Sequence, residues 1–490
     1  MTLIFKMHRG AASAEKIRRL LSPSADLREE NLLLGGQAGK ALTLIYLEGL
    51  CSSQEISASV VSPLTSAVRF PRELAPDAAF ELAARGLVFG PAPKARESAE
   101  ETVSDILSGR CAVVFDCLGS ALTFSLPSCE RRAVDMPKEE KVVKGPKDGF
   151  VETLSVNSAL VRRKLKTPKL RFIEKSVGGL SETKVYLAYV ENLASEELID
   201  GVSRRLESLD TEALLSAAQI SESLAADFAA SPFPRVITTE RPDKFALNLT
   251  EGRVGLLADG LPLGFLFPAT FSQFMKAPED NSGHWLFSSF LTLIRYFAFI
   301  LSSLAPALYV AVTTYHREMI PARLMQSIID SKAFVPFPTA LEVIGMLLAF
   351  DLLHEAGIRL PTPIGQTVSI IGGLIVGQSA VEAKVVSPVV VVIIAFSGIA
   401  GYTMPDQEMY SAIRIVRFSL TIAAALLGAY GIALVSALWI MHLAGLESFG
   451  TAYMSPFAGN GGRHISRALL RFPMTKKRDR EPELTEANKK

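Results

Sequence analysis

Residues 296–314 read YFAFILSSLAPALYVAVTT, an apolar run without a single charge. At about 1.5 Å per residue a helix of that length reaches about 30 Å, the thickness of a bilayer's hydrocarbon core. Arg295 before it and Tyr315-His316-Arg317 after it are expected to anchor the span at the two interfaces, and Pro306 to kink it. Apolar runs continue to residue 444. Pro363–Ala383 and Val385–Met404, separated by Lys384, are further candidates. Phe418–Ala444, preceded by Arg414 and Arg417 and carrying Trp439 near its far end, is another. The pattern predicts an all-α transmembrane half over 285–445 with about four spanning helices. The tail 446–490 carries Arg463, Arg467, Arg471, Lys476, Lys477, Arg478 and Arg480. That excess of positive charge predicts a cytoplasmic C-terminus and an even number of spans.

Two segments of this half stand out. Residues 337–356 read as an apolar helix between Pro336–Pro338 and Gly357 that carries Glu342, Asp351 and Glu355. At about 100° per residue these carboxylates share roughly half of the helix circumference. Buried in lipid they are costly, so the helix either lies in the interface or lines an aqueous path. In 365–380, Gly365, Ser369, Gly372, Gly373, Gly377 and Ala380 put small side chains at near-helical spacing. One reading is close helix packing; the other is a pore-lining helix in a ring. On the second, Gln366, Ser369, Gly373, Val376 and Ala380 form the water-facing stripe, with Val376 its bulkiest apolar member and candidate constriction.

Before Pro278 the sequence is charged and globular in character. The whole chain of 490 residues has a formal net charge of +1, with 49% hydrophobic residues and a mean hydropathy of +0.28. Such a balance gives no reason to expect nucleic acid or an acidic substrate. Three blocks recur at one constant offset: Leu27-Arg28 as Leu170-Arg171, Glu48 in a strand-like run as Glu191, and Gly109-Arg110 as Gly252-Arg253. Two related α/β modules are expected, 14–127 and 158–272, joined by a linker over 128–157 whose charge-dense Pro137–Lys147 stretch reads as solvated. Each module opens on a basic apolar stretch (Ile17-Arg-Arg19; Val161-Arg-Arg163) and continues into a strand (Leu42–Leu47; Val185–Val190). A helix follows, and then a hairpin turning at Asp116 or at Asp259-Gly260, around a central mixed sheet. The N-terminal apolar stretch is too short for a signal peptide, which places this half on the cytoplasmic face.

No catalytic constellation is legible, and no cofactor or metal is implied. Gly35-Gly-Gln-Ala-Gly39-Lys40 lacks the leading glycine and the Ser or Thr of a phosphate loop, having Leu34 and Ala41 there. Cys51, Cys111, Cys117 and Cys129 follow no zinc spacing and read as small buried hydrophobes. The six histidines are scattered.

Motifs in order along the chain resemble the A subunits of GerA-type spore germinant receptors and the related SpoVAF proteins. They include Gly145-Pro-Lys-Asp-Gly-Phe150, Thr239-Glu-Arg-Pro-Asp243, Pro268-Ala-Thr-Phe271, Thr313-Thr-Tyr-His316, Glu318-Met-Ile-Pro321, Val335-Pro-Phe-Pro338, Pro363-Ile-Gly-Gln366 and Gly377-Gln-Ser-Ala-Val-Glu382. The resemblance covers the chain from Ile17 to Tyr453. It implies a spore inner-membrane protein whose A subunits form a homo-oligomeric ring, a nutrient-gated cation channel, with a B subunit and a lipoprotein C subunit as partners. SpoVAF-like members are implied to form an accessory channel. The resemblance also favours the channel-wall reading of 365–380. Leu347 stands where the family carries another Glu, Asp351 replaces a Glu, and Ala452 replaces a Pro. A secondary transporter using Glu342, Asp351 and Glu355 as a relay is the competing class, and it predicts inverted repeats in the membrane half.

Overall fold

The computed structural model describes residues 12–36, 41–66, 68, 70, 75–86, 91–127, 136–137, 140, 142, 145–209, 211–224, 231–360, 376–458 and 465–473. The chain forms two compact units: Met1–Asp227 with Val236–Pro268 and Arg478–Lys490, and Phe228–Arg235 with Ala269–Lys477.

The first unit contains two five-stranded sheets of identical strand order. One runs β1-β2-β4-β5-β3, from Leu27–Leu33 (β1), Ala41–Leu47 (β2), Lys94–Arg96 (β3), Arg110–Phe115 (β4) and Ser120–Ser125 (β5). The other runs β6-β7-β9-β10-β8, from Leu170–Val177 (β6), Thr183–Val190 (β7), Ile237–Thr239 (β8), Val254–Ala258 (β9) and Gly264–Phe267 (β10). The offset that relates the sequence blocks also carries Leu27 at the start of β1 to Leu170 at the start of β6, and Lys94 of β3 to Ile237 of β8. It carries the helix Ala99–Leu107 (α2) onto Pro242–Thr250 (α5) residue for residue. Among the described residues every strand pair is antiparallel, so neither sheet shows the mixed course expected. The helical excursion after β2, and its counterpart after β7 through Glu196–Glu207 (α4), returns the chain to the end of the sheet where an antiparallel neighbour begins.

The recurring residues have physical partners. Arg28 donates to Glu48 at 2.8 Å, and its counterpart Arg171 donates to Glu191 at 2.8 Å, each pair tying the first strand of a sheet to the end of the second. Gly109 (φ +84°) and Gly252 (φ +101°) turn the chain into β4 and β9 in the left-handed region that favours glycine. Asp116 and Asp259 are more than turn residues. Asp116 Oδ1 accepts from the Ala14 amide at the start of Ala14–Leu21 (α1), and Asp259 Oδ1 accepts from the Leu154 amide at the start of Leu154–Lys164 (α3). Each hairpin carboxylate therefore satisfies an orphan helix N–H and sits at the positive end of the helix dipole.

Apolar residues cover both faces of the first sheet. Leu42, Leu44, Cys111, Val113 and Phe115 pack with Ile56, Val60 and Leu64, while Ile45, Leu47, Ala112 and Val114 pack with Ile17, Val103 and Ile106. Burial on both faces is why β2 and β4 read as continuous apolar runs instead of alternating ones. Cys51 and Cys111 lie in this core, where burial pushes their thiols up to about 12. The described part of the linker is pinned, not solvated throughout: Glu140 accepts from Thr239, the Glu240 amide and Lys244, and Arg241 donates to the carbonyls of Glu140 and Pro146.

The two sheets meet at a buried ion pair. Arg162 of α3 donates to both oxygens of Asp26, at 2.8 and 3.0 Å, and to Ser24 Oγ at 2.7 Å; Arg162 and Asp26 are each 1% exposed. Ser24 Oγ in turn accepts from the Phe172 amide, and the Ala25 amide donates to the Phe172 carbonyl. A guanidinium buried this completely is tolerable only while its partner stays in place. Arg162→Ala is expected to destabilise the full-length protein by about 3–5 kcal/mol, by stranding Asp26. The double variant Arg162→Met/Asp26→Leu recovers most of that loss, read as the denaturant midpoint of the purified protein. A single variant as stable as the native chain would contradict the joint.

Candidate functional site

The second unit is helical. Its main elements are Trp285–Thr314 (α6), Ala322–Lys332 (α7), Thr339–Arg359 (α8), Pro388–Gly401 (α9) and Gln407–Gly445 (α10), with a helical stretch over 376–382. Among the described residues two helical stretches, α6 and the 39-residue α10, pass as membrane spans by length and apolarity, where about four spans are expected over the whole half. α9 has 14 residues, about 21 Å, short of the core thickness. Most of Pro363–Ala383 lies outside the described residues.

The expected single span Phe418–Ala444 is broken at Gly428, whose φ of +62° and ψ of −140° are open essentially to glycine alone. Trp439 Nε1 donates to Ser419 Oγ at 2.9 Å. In a straight helix these two positions would lie about 30 Å apart. α10 is therefore a hairpin with arms over 407–427 and 429–445. The end of α6 holds its tip: Tyr315 donates to the carbonyls of Ala425 and Leu426 at 2.9 Å, and the Ala429 amide donates to His316 Nε2 at 3.4 Å. Tyr315 and His316 thus serve a packing role in addition to any interfacial one. Arg295 is not at a helix end. It lies about three turns into α6, buried, donating to both oxygens of Asp280 at 2.6 and 2.9 Å.

Four helices converge on a buried charge cluster. Arg417 of α10 is fully buried and donates to Asp351 Oδ1 of α8 at 3.0 Å; Arg414, one helical turn earlier, approaches the same oxygen at 3.3 Å. Arg417 also reaches Ser397 Oγ of α9 at 3.5 Å, and that hydroxyl donates to the Ser302 carbonyl of α6 at 2.8 Å. Small residues of α9 allow the approach. A Cβ at Gly398 would come within 2.5 Å of the Phe350 ring, and one at Gly401 within 2.6 Å of Tyr410. The small-residue packing logic operates on α9. Beside the ion pair, Tyr402 and His354 Nδ1 share a hydrogen bond of 2.9 Å; His354 meets the Tyr410 ring edge-on, and Tyr402 lies tilted against it.

The three candidate carboxylates do not form one water-facing edge. Asp351 is 6% exposed and paired as above. Glu342 is 2% exposed and accepts from the Ser387 amide at 2.9 Å, with the Lys332 ammonium 2.9 Å from its other oxygen but outside hydrogen-bond alignment. Glu355 alone of the three is exposed, paired one turn on with Arg359 at 2.7 Å. Of the candidate pore stripe, Val376 is exposed and Ala380 half-buried on the 376–382 helix; Gln366, Ser369 and Gly373 lie outside the described residues. The sequence reading sets Arg414 and Arg417 outside a span as its flanks, whereas both turn inward. Opposite charges on two apolar segments, Asp351 on one and Arg417 on the other, were the available signal that they pair inside.

The chain is a two-unit protein, antiparallel α/β sheets followed in sequence by a helical bundle knit by buried ion pairs. The profile of the family described as Bacillus/Clostridium GerA spore germination protein matches residues 15–483, and the chain belongs to that family. It is 34% identical to spore germination protein KA of Bacillus subtilis over 94% of this chain and 84% of that one. It is 32% identical to spore germination protein B1 of the same organism over 94% of each. It is also similar to the solved N-terminal domain of the A subunit of the Bacillus megaterium spore germinant receptor GerK3, at 26% identity and a TM-score of 0.42, over 52% of this chain and 93% of that one.

The cluster predicts an asymmetry. Asp351→Leu strands Arg417 without a carboxylate and is expected to cost about 3–5 kcal/mol. Arg417→Met leaves Asp351 its second partner, Arg414, and costs less. Thermal midpoints of the two purified variants in detergent check the order; equal losses would contradict it.

Proposed function

We propose that this chain is a non-enzymatic, channel-forming A-type subunit of a spore germination receptor, releasing monovalent cations across the spore inner membrane in response to nutrient germinants. It does so as a homo-oligomeric ring, with a B subunit and a lipoprotein C subunit as partners, and with its N-terminal unit and basic tail on the core side. The observation that carries the reading is the family match over residues 15–483, which takes in both units. The helical unit supports it with two apolar stretches of membrane-crossing length, α6 and α10, the second folded back on itself at Gly428. In this reading Gln366, Ser369, Gly373, Val376 and Ala380 line the pore, and an apolar constriction at Val376 gates by dewetting. Val376 is exposed within its own chain, as a side chain facing a ring axis must be.

One observation favours a second reading. Buried ionisable pairs such as Asp351–Arg417 in a membrane-type bundle also occur in ion relays of secondary transporters. The strand and helix recurrence lies within the first unit, whereas an inverted-repeat transporter would place its repeats among the spans.

Shrinking the constriction tests the channel reading. Val376→Ala is expected to raise resting cation efflux from proteoliposomes, with Leu374→Ala, off the stripe, as the control. Equal leak from both variants would mean general loosening of the bundle, and leak from neither would remove this helix from the pore.

A further inference from the structure

The turn 383–387 joins the 376–382 helix to α9, and a buried carboxylate grips it. Glu342 stands in the first turn of α8 with its side chain wholly inside the protein. Its Oε2 accepts from the Ser387 amide at 2.9 Å. Ser387 is the N-cap of α9, and its own hydroxyl makes no capping bond there. On the other side, Lys332 at the end of α7 places its ammonium 2.9 Å from Oε1 and donates to Thr339 Oγ1. A second tie holds the same turn: Lys384, at φ +57°, lays its ammonium 3.8 Å over the Phe334 ring in the loop between α7 and α8. The turn is closed on itself by the Val385 and Val386 amides, both donating to the Ala380 carbonyl, at 2.9 and 3.3 Å. Three elements therefore meet on one carboxylate, and the end of the 376–382 helix is fixed to that meeting point.

We propose that Glu342 is a positioning residue that sets the C-terminal end of the 376–382 helix against α7 and α8, and not a ligand of permeating ions. This inference rests on the channel reading for its consequence, though not for its geometry. An ion-path carboxylate needs an oxygen that a hydrated cation can reach. Both oxygens of Glu342 face protein groups, and the side chain has no exposed surface. Such burial is sustained by one charge-assisted hydrogen bond to an amide and one adjacent ammonium. Removing the acceptor frees the Ser387 amide and the turn it belongs to. Val376 lies about two helical turns before Lys384, close enough that a tilt of this end moves the candidate constriction.

Two variants and two measurements decide it. Glu342→Ala loses the acceptor, whereas Glu342→Gln keeps an oxygen for the Ser387 amide and gives up only the charge. In planar bilayers, Glu342→Ala is expected to shift the resting open probability about tenfold or more, the size of one lost charge-assisted hydrogen bond. Glu342→Gln shifts it far less, and neither variant changes unitary conductance or cation selectivity. A change in conductance or selectivity would make Glu342 an ion-path residue and overturn the proposal, as would an open probability that Glu342→Ala leaves unmoved. Hydrogen exchange of the full-length protein in lipid nanodiscs tests the joint without any current. Amides 383–388 are expected to lose protection in Glu342→Ala and keep it in Glu342→Gln. Unchanged exchange in Glu342→Ala sinks the proposal, whereas lost protection in a protein that passes no current would retain the joint and refute the channel reading alone.

Discussion

The helical unit depends on one contact, the ion pair between Asp351 of α8 and the fully buried Arg417 of α10. A guanidinium removed from water incurs a penalty of several kcal/mol unless a carboxylate and further acceptors surround it. The sequence supplies them from three other helices, Asp351 from α8, Ser397 from α9 and, through Ser397, the Ser302 carbonyl from α6. Gly398 and Gly401 let these helices close on the pair, and Gly428 folds α10 back so that its second arm covers the first. Changing any of these residues removes a condition that the others need.

The first unit solves a similar problem with duplicated parts. Arg28–Glu48 recurs as Arg171–Glu191, and the helix-capping Asp116 recurs as Asp259, so the same devices build each sheet. What differs between the copies is where the joint lies. Arg162 of α3 is buried against Asp26 of the first copy, while Arg19, its counterpart by the same offset, is exposed and pairs with Glu15 in its own helix. One arginine of a duplicated pair has become the link between the copies.

Legibility in the sequence followed the range of the interaction. Strand positions, hairpin turns and the repeat offset were readable because they rest on local periodicity and on residues with narrow roles, such as Gly109 and Gly252. The antiparallel course of both sheets was not, since it depends on where long helical excursions return the chain. In the helical unit, hydropathy located α6 and α10 but passed over the break at Gly428, because a glycine within an apolar run does not lower the average. Arg295, Arg414 and Arg417 read as flanks, since a charge beside an apolar run gives no sign of whether it faces water or a carboxylate elsewhere in the chain. Glu342, Asp351 and Glu355 do share one helix, but only Glu355 finds its partner by spacing, Arg359 one turn on; Ser387 and Arg417, which hold Glu342 and Asp351, lie on other segments that no spacing rule connects to them.

The family assignment and the two-unit architecture leave the mode of action as the central claim, and its most direct test is electrical. Purified full-length protein in planar bilayers under a monovalent-cation gradient is expected to produce discrete steps of current, the signature of a gated pore. Slow flux without unitary steps would contradict a channel and favour the relay built on the buried pairs, and a silent bilayer containing correctly folded protein would contradict both.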